Sequence, residues 1–530
     1  MLNVVAYRSE EKDGQTLITN SNGESISSNN IDELLAFVNL QYQATLKVCW
    51  NLDSFISLIL RHLSVDKLKE LASPTHTTSD GKLFYIPSVL VVVVIGDQKS
   101  FFYHLAQYFD ESPELTDLQE VKQKAQDILN TLHRMNQYPA KLTSPVSIYE
   151  SCVMNHLDLP SIRDLPKDGS VDEIIPYSEA TIGRSWVEAF KIGHWNADEI
   201  YSTDLQSAYP YEASKLGHYR YAKIFQSDKI HEDADYGFMT GRVTIYDDAK
   251  VSPIMFKTLE GDTINPIGSW DKEGDDKPYV LTLDEYKWLK RWHVGEFKIY
   301  NGYFVKFWSE IQPYYKPMNK LFQQRSISPL AKTLAKRQAA GATGKIIQKT
   351  TDEHGKEKVG RIYDPISAGI IRTRTRLQVA EYIYQNSLQD YLIHVGTDGI
   401  QSEKLVPIKQ ETKMGSWKLN EPTPTLVLSS GLVYFGNKHP KGLTYDTIKE
   451  LIQKKPKTNY YQTSVNRRQT LNDAITLNDL SHIGEIKSFP SILDLTALKI
   501  ETDRVFANYP KNGYDLLTNK YESTPIKIHK

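Results

Sequence analysis

Glu199-Ile200-Tyr201-Ser202-Thr203-Asp204-Leu205-Gln206-Ser207-Ala208-Tyr209-Pro210 is the stretch on which the reading of this chain turns. The residues before Asp204 mix β-branched, aromatic and small hydroxyl types, which predicts a strand ending on a carboxylate. Pro210 disfavours αR at the residue before it, which predicts an extended or turn conformation at Tyr209. A carboxylate at a strand end, followed by a small hydroxyl and a tyrosine, suits a divalent-metal site that holds a polyphosphate. The same pattern serves equally as a plain strand end and turn, so its meaning depends on partners elsewhere in the chain.

Downstream of this strand, Phe238–Tyr246 and Tyr300–Phe307 read as strands. Thr282–Trp292 reads as a helix with capping-box spacing between Thr282 and Glu285. A helical pair is predicted over 309–349, with Ile311–Gln324 first and Pro329 in the opening turn of the second helix. Lys332 and Lys336 share a face of that second helix at i, i+4, and Thr343-Gly344-Lys345 closes it. Lys349–Arg361 predicts a hairpin tip and Ser367–Asn386 a helix. Tyr391 to Ser402 then predicts two short strands around a tight turn, with Asp398-Gly399 as a favoured hairpin dipeptide. Upstream, Leu2–Tyr7 and Phe84–Ile95 predict strands, while Ile31–Leu40, Phe55–Leu71 and Leu115–Met135 have helical spacing. Strands alternating with helices predict a mixed sheet covered by helices. A polar Pro- and Gly-bearing run, Asp164–Asp172, is a candidate linker.

A chain of 530 residues is long enough for two to four domains. Its net charge of -2 hides an uneven distribution. Residues 1–60 carry 3 Lys/Arg against 7 Asp/Glu, and residues 306–376 carry 15 against 5. The basic segment is either a footprint for phosphates or a solvated helix face. Two cysteines, Cys49 and Cys152, provide neither a disulfide framework nor zinc spacing. The longest apolar run, Val89–Ile95, is far short of the roughly 20 residues that span a bilayer. A soluble protein of a reducing, cytoplasmic compartment is the expectation.

Three pieces taken in order resemble the three core motifs of the family B DNA polymerases, in the phage, plasmid and viral branch that includes the protein-primed enzymes. They are the strand ending at Asp204 with Ser207-Ala208-Tyr209-Pro210, the helix Lys336-Arg337-Gln338-Ala339-Ala340-Gly341-Ala342-Thr343-Gly344, and the hairpin Gly396-Thr397-Asp398. The resemblance implies an α/β and α+β multidomain chain. A ribonuclease-H-like exonuclease-type domain (1–165) would precede a right-hand polymerase. Its palm would occupy 175–305 and 350–435, its fingers 306–349, and its thumb and C-terminal region 436–530. It implies two Mg2+ or Mn2+ ions held by Asp204, Asp398 and the Leu205 carbonyl, with Asp204 and Asp398 catalytic. Lys336, Tyr209, Ser207 and Arg325 would bind nucleotide, Tyr209 lying under the sugar and excluding a 2′-hydroxyl. Gly183, Arg184, Thr343, Gly344, Lys345 and Thr397 would contact DNA. The implied partners are primer-template DNA, deoxynucleoside triphosphates and a terminal protein as candidate primer.

The chain departs from the family pattern at four places. Ala340 stands where the family has Asn, and Gly396 replaces the first Asp of the hairpin motif. Leu432-Val433-Tyr434 lies near the family's Lys-x-Tyr without the lysine, and Thr181-Ile182-Gly183-Arg184 reduces its Tyr-x-Gly-Gly. In the N-terminal region the exonuclease pattern is degraded. Arg8-Ser9-Glu10 puts an arginine where a metal ligand belongs, and Asn51-Leu52-Asp53-Ser54-Phe55 ends on Phe in place of Asp. Of the family's carboxylates Glu10 and Asp127 are what remain, so the expectation is a domain that keeps its fold and lacks proofreading. Two rival readings stay open on the sequence. One is a degenerate polymerase-fold subunit that binds nucleic acid, and the other a terminal-transferase-like or primase-like polymerase.

Overall fold

The computed structural model describes residues 3–39, 45–73, 75–109, 115–167, 172–183, 185–351, 356–409, 411–436, 443–495 and 504–529. The N-terminal part is a seven-stranded sheet in the order Ser25–Ser28, Gln15–Asn20, Asn3–Lys12, Thr45–Cys49, Gln98–His104, Leu90–Ile95, Leu83–Ile86. The three central strands are parallel and all other pairs antiparallel. Side chains alternate across a strand, and the first strand shows it. Val5 and Tyr7 pack under the helices Ile31–Val38 and Leu52–Leu60. Val4 and Ala6 pack under Leu118–Arg134 on the opposite face.

The apolar run expected as one strand over Phe84–Ile95 is instead two antiparallel strands, Leu83–Ile86 and Leu90–Ile95. Ser88 turns between them at φ 54. Asp53 holds this turn, accepting from the Ser88 amide at 2.6 Å, the Ser88 hydroxyl and the Tyr85 hydroxyl at 2.6 Å. Helix Phe55–Leu71 is likewise two helices, Leu52–Leu60 and Val65–Ala72, because Ser64 caps the second by accepting from Lys67 N–H.

A five-stranded sheet follows, in the order Trp417–Leu419, Tyr201–Leu205, Gly399–Ser402, Leu392–Gly396, Val187–Ala189. It is covered by the helix Pro365–Gln385, which is buried along most of its circumference. Beside it lies a sheet built on Tyr236–Ile245 and Gly295–Phe307, paired from Tyr236 opposite Val305 to Ile245 opposite Gly295. The capping box at Thr282 and Glu285 is present. The helical pair is Tyr315–Gln324 and Pro329–Lys345, and the hairpin after it pairs Lys349–Thr351 with Glu357–Val359.

The described residues of the C-terminal region are distributed over three places. Helix Tyr445–Lys454 joins a core with Trp195, Ile393 and Leu426. A two-stranded ribbon, Tyr460–Arg468 with Ile486–Asp494, carries Leu471, Ala474 and Ile483 into the N-terminal core. The final strands return to the centre, Tyr521–Pro525 beside Lys191–Trp195 and Lys527–His529 beside Ile267–Trp270. No helix among the described residues is long and apolar enough to cross a membrane.

Candidate active site

Asp204 and Asp398 arrive at one place by strand pairing. Asp204 lies opposite Gly399, and Leu205 N–H donates to the Asp398 carbonyl at 2.8 Å. The turn is centred on Thr397 and Asp398 rather than on the expected Asp-Gly pair, because Gly399 is already paired with Gly396 and Asp204. Thr397 adopts φ 66, its N–H donating to the Trp186 carbonyl at 2.7 Å, while Asp398 N–H donates to Gly396 at 2.8 Å. The Asp204 carboxylate is exposed, and Asn420 Nδ2 donates to its Oδ2 at 2.7 Å. Its Oδ1 rests above Gly399, where a Cβ would stand 2.1 Å away. Only glycine at 399 leaves that oxygen its place.

Past Asp204 the chain does not extend as Pro210 suggested. Ala208–Ala213 is a short helix with Ser207 at its N-cap (φ 57). Pro210 falls in the first turn, where its missing N–H has no intrahelical partner to lose, so the local preference against αR at Tyr209 is overridden. The Tyr209 hydroxyl pairs with that of Ser185 at 2.8 Å. The Ser207 Oγ is buried without a hydrogen-bond partner.

The Pro329–Lys345 helix packs on this short helix, on Tyr315–Gln324 and on Pro145–Cys152. Lys332, Lys336 and Ala340 are exposed along one face, in keeping with i, i+4, i+8 spacing. Arg325, at the end of Tyr315–Gln324, is half-buried over the Phe322 ring at 4.9 Å with an unpartnered Nε, and burial lowers its pKa. Among the described residues no carboxylate pairs with it. Of the residues expected at DNA, Gly183 accepts from Arg372 at 2.7 Å and Thr343 donates to Ala340 O at 2.7 Å. Gly344 faces open space, while Lys345 is drawn into an ion pair with Glu150 at 2.7 Å. Arg184 lies outside the described residues. Tyr434 is buried in the C-terminal core, and Val433 and Phe435 face the cavity beside Asp204.

The donors fit a hard divalent cation, which takes one or two carboxylates, substrate phosphates and several waters. Asp204 offers an exposed oxygen over a glycine floor, and Asp398 lies on the adjoining strand end. Among the described residues no group of three or more His, Cys, Asp or Glu side chains converges on a metal. Any ion here would therefore complete its shell with backbone, water and phosphate oxygen. Lys418 and Asn420 were not singled out by sequence reasoning, and Gly399 was read there as a turn residue alone. Lys418 stands across from Asp204 in the strand register, and nothing local in the sequence announces that pairing.

In the N-terminal region Arg8, Ser9, Glu10, Asn51 and Ser54 line a cavity of about 220 Å³ together with Arg468. Arg8 pairs with Glu10 and donates to Thr116 O at 3.0 Å. Asp127 accepts from Gln123 at 2.9 Å and does not line this cavity, so the two remaining carboxylates are not brought together there. Asn51 caps a helix, accepting from Ser54 N–H at 3.0 Å.

The architecture as a whole is the fold of a DNA polymerase. Phi29 DNA polymerase, complexed with primer-template DNA and incoming nucleotide substrates, matches with a TM-score of 0.58 at 13% identity, over 93% of this chain and 99% of that one. Phi29 DNA polymerase complexed with single-stranded DNA matches with a TM-score of 0.54 at the same identity and coverage. No protein-family model and no curated protein matches the sequence. The likeness is one of fold.

Proposed function

We propose that this chain is a DNA-directed DNA polymerase that extends a primer 3′-hydroxyl with deoxynucleotides. The observation that carries it is the pairing of Asp204 with Gly399 and of Leu205 N–H with the Asp398 carbonyl. That pairing sets two carboxylate-bearing strand ends side by side, and the short helix that follows Asp204 packs against the basic Pro329–Lys345 helix. Asp204, Asp398 and the Leu205 carbonyl would hold two Mg2+ or Mn2+ ions. Bound there, the ions would lower the pKa of the attacking hydroxyl and offset charge on the leaving pyrophosphate. Asn420 orients the Asp204 carboxylate by its hydrogen bond. Lys336 and Arg325 supply positive charge to the triphosphate, where it counts most as charge develops in the transition state. Tyr209, held by Ser185, forms the wall beneath the sugar and selects against a 2′-hydroxyl. The DNA in the Phi29 complexes supports a primer-template as the partner, and protein priming is part of the same reading.

The N-terminal region is read as a ribonuclease-H-like domain without editing. Its strand order, with three parallel central strands flanked by an antiparallel meander, supports that origin. Arg8 beside Glu10 opposes cation binding where the family needs it. The reading as a replicative enzyme of a virus or mobile element follows the same resemblance.

Primer extension with Mg2+ or Mn2+ tests the proposal, with an assay for 3′–5′ degradation of single-stranded DNA beside it. Wild type extends, Asp204→Ala and Asp398→Ala each lose at least about a thousandfold in rate, comparable to the loss of a principal electrostatic stabiliser, and none degrades the strand. A wild type that extends nothing under either metal leaves the nucleic-acid-binding subunit as the better reading. Metal-dependent degradation would sink the non-editing assignment.

A further inference from the structure

Arg504 and Glu188 stand 316 residues apart in sequence and form an ion pair closed to water. Arg504 Nη1 donates to Glu188 Oε1 at 2.6 Å, and the two side chains are 4% and 1% exposed. Each is held on a second side. Glu188 Oε2 accepts from the Trp186 indole N–H at 2.7 Å. Arg504 Nε donates to Ser523 Oγ at 2.7 Å, and its guanidinium lies over the Phe190 ring at 4.3 Å. Arg504 and Ser523 sit on neighbouring antiparallel strands, Arg504–Phe506 and Tyr521–Pro525. A buried ion pair is a poor device for stability. Desolvation of two charges offsets their attraction, and apolar groups of the same volume often do as well or better. What the pair supplies is a fixed direction between two segments.

The segment fixed here touches the active site. Val187–Ala189 is three residues long and last in its sheet, so few ladder bonds hold it. It pairs with the first strand of the hairpin, Val187 opposite Gly396 and Glu188 opposite Val395. Trp186, just before it, accepts Thr397 N–H on its carbonyl at 2.7 Å. Alternate residues of a strand share a face, which brings the Trp186 indole N–H to the Glu188 carboxylate. Contacts therefore run from Arg504 to Glu188, to Trp186, and on to the residue before Asp398. Ser523 adds a second tie, its N–H and Oγ donating to the Phe190 carbonyl at 3.0 and 2.8 Å.

We propose that Arg504 and Glu188 are positioning residues for the metal site, fixing the Thr397–Asp398 turn against Asp204 from the far end of the chain. The inference rests on the polymerase reading for the presence of a metal at Asp204 and Asp398. A small hard cation demands near-ideal octahedral geometry. A shift of one carboxylate therefore weakens the ion more than it weakens DNA, whose binding is spread over many phosphates.

The test uses two variants. Glu188→Leu with Arg504→Met replaces both charges by apolar groups and leaves neither partner buried alone, so its urea unfolding matches wild type or better. Trp186→Phe keeps a ring in the core and removes the indole N–H. Mn2+ is titrated into each protein and into Asp204→Ala, with free ion read by electron paramagnetic resonance. The double variant binds about tenfold more weakly than wild type, the low end for groups that orient a ligand through another residue. Trp186→Phe binds about threefold more weakly, the low end for one hydrogen bond, and Asp204→Ala loses the site. Primer-template affinity in the absence of metal, by fluorescence anisotropy, stays at the wild-type value. In primer extension the Mn2+ concentration for half-maximal rate rises by the same factors, and the rate recovers at saturating metal. A merely structural role would lower the active fraction and leave that midpoint where it was. Mn2+ affinity equal to wild type in either variant overturns the assignment, as does binding indifferent to Asp204→Ala. A wild type that binds Mn2+ through Asp204 yet extends no primer defeats the polymerase reading and leaves the affinity comparison to decide the positioning.

Discussion

Thr397 carries the tightest constraint at the site. It is β-branched, yet it sits at φ 66, in a region such residues rarely enter. Three contacts hold it there: its own N–H on Trp186 O, Asp398 N–H on Gly396 O, and Leu205 N–H on Asp398 O. A backbone of this kind costs of order 1–3 kcal/mol and persists when the surroundings over-determine it. Thr397→Gly should raise stability by about 1 kcal/mol in urea unfolding while lowering primer extension several-fold, because the hairpin tip loses its fixed aim. A variant that is less stable and fully active would show that the turn is neither strained nor used. That Asp204 and Asp398 stand where strands end and turn was legible in the sequence, because each sits in a short pattern of its own. The neighbours Lys418 and Asn420 were not, since they meet Asp204 through strand register across some 200 residues. Tyr209 was misjudged for a different reason. The rule for residues before proline is a local preference, and the first turn of a helix overrides it at little cost.

Elements were readable where their pattern was periodic and capped. The Pro329–Lys345 helix begins with Pro in its opening turn, as the sequence implied, and takes Ser328 as its N-cap. Its buried side holds Ala331, Leu334, Ala335, Gln338, Ala339 and Ala342. Gln338 exchanges hydrogen bonds with Gln137 at 2.7 and 2.9 Å, and Arg337 donates to Phe109 O at 2.9 Å, which ties the helix to the N-terminal region. With that side anchored, the lysine face has a fixed direction. Lys336→Ala should raise the KM for deoxynucleotide and lower kcat, by roughly 100-fold in kcat/KM, as for loss of one electrostatic stabiliser. Lys332→Ala, one turn nearer the helix start, should fall by less. Steady-state kinetics with varied nucleotide at saturating primer-template measure both, and equal losses would show that Lys336 has no special place. Phe84–Ile95 failed as a single strand because an unbroken apolar run does not reveal its turn. The turn is set by Asp53, some 35 residues upstream, gathering Ser88 and Tyr85.

At the scale of the molecule, the N-terminal core is completed by a segment from the far end of the chain. Leu471, Ala474 and Ile483 are buried among Leu34, Phe55, Ile56 and Leu68. Gly484 passes over Ser57 at φ 84, where a Cβ would stand 2.9 Å from the Ser57 carbonyl oxygen. The ribbon that delivers this segment is anchored at its other end by Tyr461 and Leu493 in the core shared with Trp195 and Leu426. None of this was visible in the sequence, where 436–530 has no repeat and no motif, because helical or strand periodicity says which face is apolar and not what it will meet. The two ends of the chain should therefore open together. Removing Leu471 to Ala deletes buried methyl groups at the junction, a change that typically costs 2–5 kcal/mol in a well-packed site. Amide hydrogen exchange reads where that cost is felt, since local openings report contiguous cooperative units. In Leu471→Ala, exchange should quicken in the Asn3–Lys12 strand, the Leu52–Leu60 helix and the Tyr460–Arg468 ribbon strand, while Gly399–Ser402 keeps its wild-type protection. Faster exchange confined to the ribbon would mean that the N-terminal core stands without the segment, and the coupling of the two ends would be refuted.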